Sequence, residues 1–291
     1  MKEKLLKIII PFAVVSTSLL LTYSTFYWLI FIQLKLIDIN EEIFSFFVPF
    51  GIATCLTWFY LRKKLRLLKL SDRYRDFVLF VSWISLSGPI LFFLFYLDTE
   101  TGDLTNLKQP SEIFNTELTK YYSIENSFQL KDNSGLFVSK VSVDRGNEIG
   151  IGCYFVCPIT NVGDSIGASD IWIGVLFSNK FSNRVFDDKE KQSKLISRFI
   201  DSTINVYKKY TYKTSYLKKL SNSNEKDNFI QAIAKTNLPF NSDNVILLKE
   251  ESGNYATRTG TSLWWTIFTL IASNLIWFML TMFQDLKQTE K

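Results

Sequence analysis

Residues 8–33 read IIIPFAVVSTSLLLTYSTFYWLIFIQ, 26 residues without a charge. A helix rises about 1.5 Å per residue and the hydrocarbon core of a bilayer is about 30 Å thick, so about 20 such residues cross it. Three more stretches have the same character, at about 43–61, 77–97 and 263–284, and none holds Asp, Glu, Lys or Arg in its interior. The expectation is an integral membrane chain with four transmembrane α-helices. Three lie in residues 1–97 (8–34, 43–61 and 77–97), and the fourth follows a polar region. Lys2, Lys4 and Lys7 precede the first stretch as in a signal peptide. Its apolar run is far longer than the 7–15 residues of a signal, and no small-residue cleavage site closes it, so it reads as a retained anchor.

The placement of charge gives the orientation. The chain carries 33 Lys and Arg against 28 Asp and Glu, a net charge of +5. From Asp98 to Ser262 the two signs balance, 20 against 20, so the whole excess flanks the apolar stretches. A neutral polar domain does not fit nucleic-acid binding, which needs a basic surface. The loop 62–76 holds Arg62, Lys63, Lys64, Arg66, Lys69, Arg73 and Arg75, while the first loop sets Lys35 against Asp38, Glu41 and Glu42. Basic loops stay in the cytoplasm. The N-terminus, loop 62–76 and the tail 285–291 are therefore expected inside, and residues 98–262 outside, in the cell (inner) membrane. Loop 62–76 could also hold anionic headgroups, although setting topology suffices to explain it. Tyr27, Trp28, Trp58, Tyr60, Tyr96, Trp264 and Trp265 stand near the ends of the stretches, where amphipathic rings anchor at the interface.

Residues 98–111 are polar, contain Gly102 and Pro110, and read as a linker. In 112–262, strand-like runs come first: 121–130, 135–143, 149–159 and 171–177. The third and fourth are continuously apolar, as buried strands are. Leu195, Ile196, Phe199, Ile200, Ile204 and Tyr207 then recur at helical spacing behind Asp187, Asp188 and Glu190. A strand at 211–220, a helix at 224–234 capped by Asn224, and a strand at 245–249 complete the list. The pattern predicts an extracytoplasmic α+β domain, a mainly antiparallel sheet with two helices on one face. The chain has no N-x-Ser/Thr sequon, which fits a bacterial protein.

Histidine is absent from all 291 residues. That excludes Ser–His and Cys–His pairs and the H-E-x-x-H zinc site. No P-loop is present, and Gly150-Ile151-Gly152 lacks the third glycine of a dinucleotide fingerprint. The uncharged spans argue against an ion-coupled pump or an aspartyl intramembrane protease. Polar groups within them are Ser16, Thr17, Ser18, Thr54, Thr57, Ser82, Ser85, Ser87, Ser273 and Asn274, which fit either helix packing through small residues and hydroxyls or a pore lining. Ser87 has no base to activate it. Pro89 is expected to kink the third span. Asp187 and Asp188 fit a solvated helix start better than an acid–base pair. Cys55 reads as a packed thiol. Cys153 and Cys157 share a face of one strand roughly 13 Å apart, beyond the reach of a disulfide unless a bulge or a helical turn brings them together. No catalytic, cofactor-binding or metal-binding residue is nominated, and no cofactor is expected.

Several motifs form a pattern: Tyr60-Leu61, Arg62-Lys63-Lys64, Leu67-Leu68-Lys69-Leu70, Tyr74-Arg75-Asp76-Phe77 before Trp83, Tyr121-Tyr122-Ser123-Ile124, Asn183-Arg184, Asp227-Asn228-Phe229-Ile230 and Trp264-Trp265. Together they resemble the N-terminal membrane and exoplasmic region of some bacterial rhomboid-family proteins. There, three spans, an exoplasmic domain and a fourth span precede the catalytic core. The Gly-x-Ser-Gly motif and histidine of that core are absent, so the resemblance carries over no catalytic residue. It implies an accessory module without the protease.

The functional expectation is a non-enzymatic multi-pass membrane protein whose domain at 112–262 binds another protein or an envelope component, with lipid as its other partner. The alternatives are an immunity or defence protein that neutralises a membrane-acting toxin, and an accessory subunit of a membrane enzyme such as a protease. The sequence does not indicate an oligomeric state.

Overall fold

The computed structural model describes residues 2–34, 43–162, 170–182, 189–212, 216–242, 244–251 and 253–287. They form two compact units, one of Met1–Thr101 with Ala256–Lys291 and one of Gly102–Tyr255. Helices α1 (Lys2–Gln33), α2 (Ile43–Leu65), α3 (Asp72–Glu100) and α6 (Ser262–Met282) belong to the first unit. Helices α4 (Lys189–Lys209) and α5 (Asn224–Ile233) belong to the second. Lys35, Asp38, Glu41, Glu42, Asn183, Arg184, Asp187 and Asp188 lie outside the described residues.

Four helices of the first unit are long and apolar enough to cross a membrane. Helix α3 is the central one. Half of its apolar window is buried, against 22% or less in each of the others. It begins at Ser71, whose hydroxyl accepts the backbone N–H of Tyr74 at 3.3 Å and so satisfies a donor that the first turn leaves open. At its other end the Arg258 guanidinium donates to the carbonyls of Thr99 and Glu100 at 2.8 and 2.6 Å, which suits the negative pole of the helix dipole. Pro89 lies within α3, which nonetheless continues unbroken to Glu100. The helix thus takes up residues 98–100 of the expected linker.

Indole and phenol donors tie the bundle together. Trp83 Nε1 donates to Thr54 Oγ1 at 2.9 Å, and Tyr74 Oη to the Leu280 carbonyl at 3.0 Å. Trp277 Nε1 donates to the Ile8 carbonyl at 3.3 Å, and its ring stacks on Phe12 with centroids 4.3 Å apart. The outward face stays apolar, with Phe59, Trp264 and Met279 each more than 60% exposed. Such a surface fits a hydrocarbon solvent and not water. Trp28, Trp58, Trp264 and Trp265 are exposed, whereas Tyr27 is buried and its ring lies 5.0 Å from that of Phe31.

The second unit is built on an eight-stranded mixed sheet: β1 (Leu104–Leu107), β2 (Tyr121–Ile124), β3 (Phe128–Gln129), β4 (Gly135–Val143), β5 (Glu148–Thr160), β6 (Ile171–Ser182), β7 (Leu217–Lys219) and β8 (Ile246–Glu250). The order is β1-β2-β7-β8-β6-β5-β3, with β4 also on β5. Strands β1 and β2 run parallel, as do β6 and β8, and the other pairs are antiparallel. Two expectations are corrected. The supposed linker contains β1, whose polar Thr105 and Asn106 hide its period. The run 121–130 is broken into β2 and β3, on opposite sides of the sheet.

The helices cover opposite faces, not one. Along β5, Ile151, Cys153 and Phe155 point towards Ile196 and Tyr207 of α4, while Cys157 and Ile159 join Ile113, Tyr122 and Ile173 farther along that side. Val156 points the other way, with Trp172 and Leu247, under Phe229, Ala232 and Ile233 of α5. Alternate residues of one strand are therefore buried on both faces, which is why β5 reads as an unbroken apolar run.

Close approach of α5 depends on two glycines. A Cβ at Gly135 would lie 2.0 Å from the Ala232 carbonyl, and one at Gly174 would lie 2.7 Å from the Phe229 ring. Gly135→Ala or Gly174→Val is expected to destabilise the domain by about 1–3 kcal/mol through overpacking. Urea unfolding followed by tryptophan fluorescence checks this, since Trp172 lies under α5.

Candidate functional site

Of the residues weighed for chemistry, Asp187 and Asp188 lie outside the described residues, and Cys55, expected to be packed, is exposed. Ser87 is fully buried in α3, and its hydroxyl donates to the carbonyl of Trp83 in the same helix at 2.9 Å. Ser82, Thr54 and Thr281 likewise bond a carbonyl one turn back. These bonds satisfy hydroxyls without a partner helix. Among the described residues, no group of three or more His, Cys, Asp or Glu could hold a metal ion.

Cys153 and Cys157 are free, buried thiols on the α4 side of β5. Around Cys157 stands a cluster that spacing alone could not reveal, because its members come from four elements. The Tyr212 hydroxyl is 4.0 Å from Cys157 Sγ. Tyr207 stacks on Phe155 at 4.3 Å, and its hydroxyl is buried beside Cys157 and Tyr212. Lys131 Nζ lies 5.6 Å above the Tyr207 ring and donates to the Tyr210 carbonyl. Tyr210 in turn bonds the Glu250 carboxylate.

Burial sets the ionisation of these groups. It pushes the Cys157 thiol above its ordinary 9.0, against the pull of Tyr207, Tyr212 and Lys131. It raises Cys153 too, with Thr203 acting the other way. Tyr207 and Tyr212 are driven upward mainly by desolvation, and Tyr210 is pushed up to about 12 by burial and by its bond to Glu250. A reactive thiol needs a depressed pKa. The thiols and phenols of the cluster therefore hold their protons more tightly than they would in water.

The surface is more informative. Strand β5 has β6 on one side and the pair β4 and β3 on the other, so among the described residues β3 and β4 form one edge of the sheet. Strand β4 is nine residues long, GLFVSKVSV, without proline and with Lys140 as its single charge. Six large apolar side chains are exposed among the described residues of the domain, and three of them lie by this edge. They are Phe128 in β3, Val141 in β4 and Val162 just past β5. The spread is wide, since Val141 stands opposite Gly150 and Phe128 opposite Thr160. Proteins usually blunt such an edge with charges, proline or a covering loop.

Two open concavities stand apart from it. One, of about 470 Å³, lies on the outer face of α4 between Arg198, Asp201, Asn205 and Lys209. The other, of about 400 Å³, runs between α1 and α6 and includes Thr17 and Asn274.

Comparison of the chain with protein-family models, curated proteins and solved structures finds no match in any of the three.

Stability borrowed from neutral buried thiols and phenols has a defined pH window. It is fully present below the ordinary pKa of each group. It is lost as pH rises above that value, because the unfolded chain releases protons that the folded chain keeps. The melting temperature of the detergent-solubilised chain is expected to fall above about pH 9, and less steeply in Cys157→Val. At pH 8, Cys153 and Cys157 should resist maleimide until denaturant is added. Ready labelling of either in the folded chain would contradict the burial described here.

Proposed function

We propose that the chain is a multi-pass protein of the inner membrane whose domain at 102–255 stands outside the cytoplasm and docks another protein by strand addition at β4. The reading is non-enzymatic. What carries it is the long, weakly guarded β3–β4 edge with Phe128, Val141 and Val162 beside it. A free sheet edge offers a row of backbone donors and acceptors to an extended segment, and exposed side chains beside it select the sequence. Anchoring by apolar helices before and after the domain suits a docking role, because a tethered partner meets the edge at high effective concentration.

Orientation follows the positive charge. Lys2, Lys4 and Lys7 precede α1, and the basic residues of 62–76 separate α2 from α3. With four spans, cytoplasmic placement of both leaves the domain outside. The resemblance to rhomboid-family regions makes a membrane protease one candidate among the partners.

A photo-crosslinking amino acid placed at Val141 or Phe128 of the full chain in its native membrane tests the reading. The expected result is one discrete adduct, the same protein from both positions, and none from Val206 on α4. Ser139→Lys, in the middle of β4, should weaken that adduct several-fold. Equal adducts from Val206, or none above background from either edge position, would contradict it.

A further inference from the structure

Helix α6 carries a second outward feature that the domain reading does not use. Trp264, Ile267, Ile271, Asn274 and Phe278 follow one another at spacings of three, four, three and four. That is the seam of a left-handed helix pair. Trp264, Ile267 and Ile271 are 70%, 41% and 55% exposed, and Asn274 and Phe278 are half-buried. The helix instead packs inward through Thr266, Ser273, Trp277 and Thr281, about a quarter-turn away. The seam borders the groove of about 400 Å³ whose other wall is Ile9, Ala13 and Thr17 of α1.

Asn274 decides what fits there. Its Nδ2 donates to the Leu270 carbonyl at 2.8 Å and reaches Ser16 Oγ at 3.4 Å. Among the described residues its Oδ1 is met by the Ser16 hydroxyl alone, at 3.5 Å, and the single proton of that hydroxyl has a nearer acceptor in the Ala13 carbonyl at 3.1 Å. The carboxamide oxygen is thus left with acceptor capacity in a groove lined mainly by apolar side chains. An unmet polar group facing hydrocarbon is costly, and amides between apolar helices find one another for that reason. A carboxamide is both donor and acceptor, so two copies related by a twofold axis satisfy each other. An Asn within a three–four repeat also fixes register.

We infer that α6 pairs with α6 of a second copy of this chain through the seam centred on Asn274, placing the chain in the membrane as a twofold dimer. The inference rests on the membrane reading above and is independent of the β4 edge. Closed twofold pairing is the commonest form of self-association.

The test uses the full chain in membranes of expressing cells, with Cys55→Ala as background and Ile271→Cys, Phe278→Cys or Ile276→Cys added singly. Ile276 is also exposed but lies on the far side of the helix from Asn274. Oxidation should yield a disulfide dimer from positions 271 and 278 and little from 276. Adding Asn274→Leu to Ile271→Cys should lower the dimer fraction roughly three- to thirtyfold, and Asn274→Gln should largely retain it. Equal crosslinking at 276, an adduct to a different protein, or no dimer while the chain stays in the alkali-washed membrane pellet would overturn the pairing alone. Release of the chain by the alkaline wash would overturn the membrane reading with it.

Discussion

A backbone amide out of reach of water has to find its partner inside the chain. The first unit meets that constraint with helices, which satisfy their own backbone except at the ends. The ends of α3 show how the remainder is handled. Ser71 accepts an open N–H at the start, and Arg258 donates to the open carbonyls at the finish. Once α3 is self-sufficient, it can be the most buried helix of the bundle, and Trp83 and Tyr74 spend their donors on α2 and α6. Other apolar side chains of the four helices, among them Phe59, Trp264 and Met279, face outward, as in helices long and apolar enough to cross a membrane.

The second unit obeys the same constraint with a sheet. Strand β5 is apolar on both sides, so it requires a cover on each. Helix α4 with the 110–115 turn supplies one cover, and α5 the other. The rule that a buried backbone must be paired leaves its exception at the edge. There β3 and β4 end the ladder with little charge to discourage another strand. The features of the domain that invite a partner follow from where its own pairing stops.

Much of this was legible in the residues. Uncharged runs of 19 residues or more announced four helices, and the periods of 135–143 and 195–207 announced β4 and α4. Two things were not legible. Strand β1 is four residues long and half polar, so nothing in LTNL distinguishes it from a linker until β2 lies beside it. The parallel pairing of β6 with β8 is set by the long crossover through α4, β7 and α5, a distant contact that local period does not encode. The opposite placement of the two helices did have a signal, namely that β5 lacks polar alternation. Of the surfaces argued for function, Val141 and Asn274 were visible as residue types, but only the fold shows that one lies by a sheet edge and the other in a groove.

Alkaline carbonate extraction, combined with an epitope placed in the Asp144–Asn147 turn, tests the central claim most directly. The chain should stay in the membrane pellet at high pH, and the epitope should be reached by antibody from outside intact spheroplasts. A chain released into the supernatant, or an epitope reached only after the membrane is opened, would contradict the account.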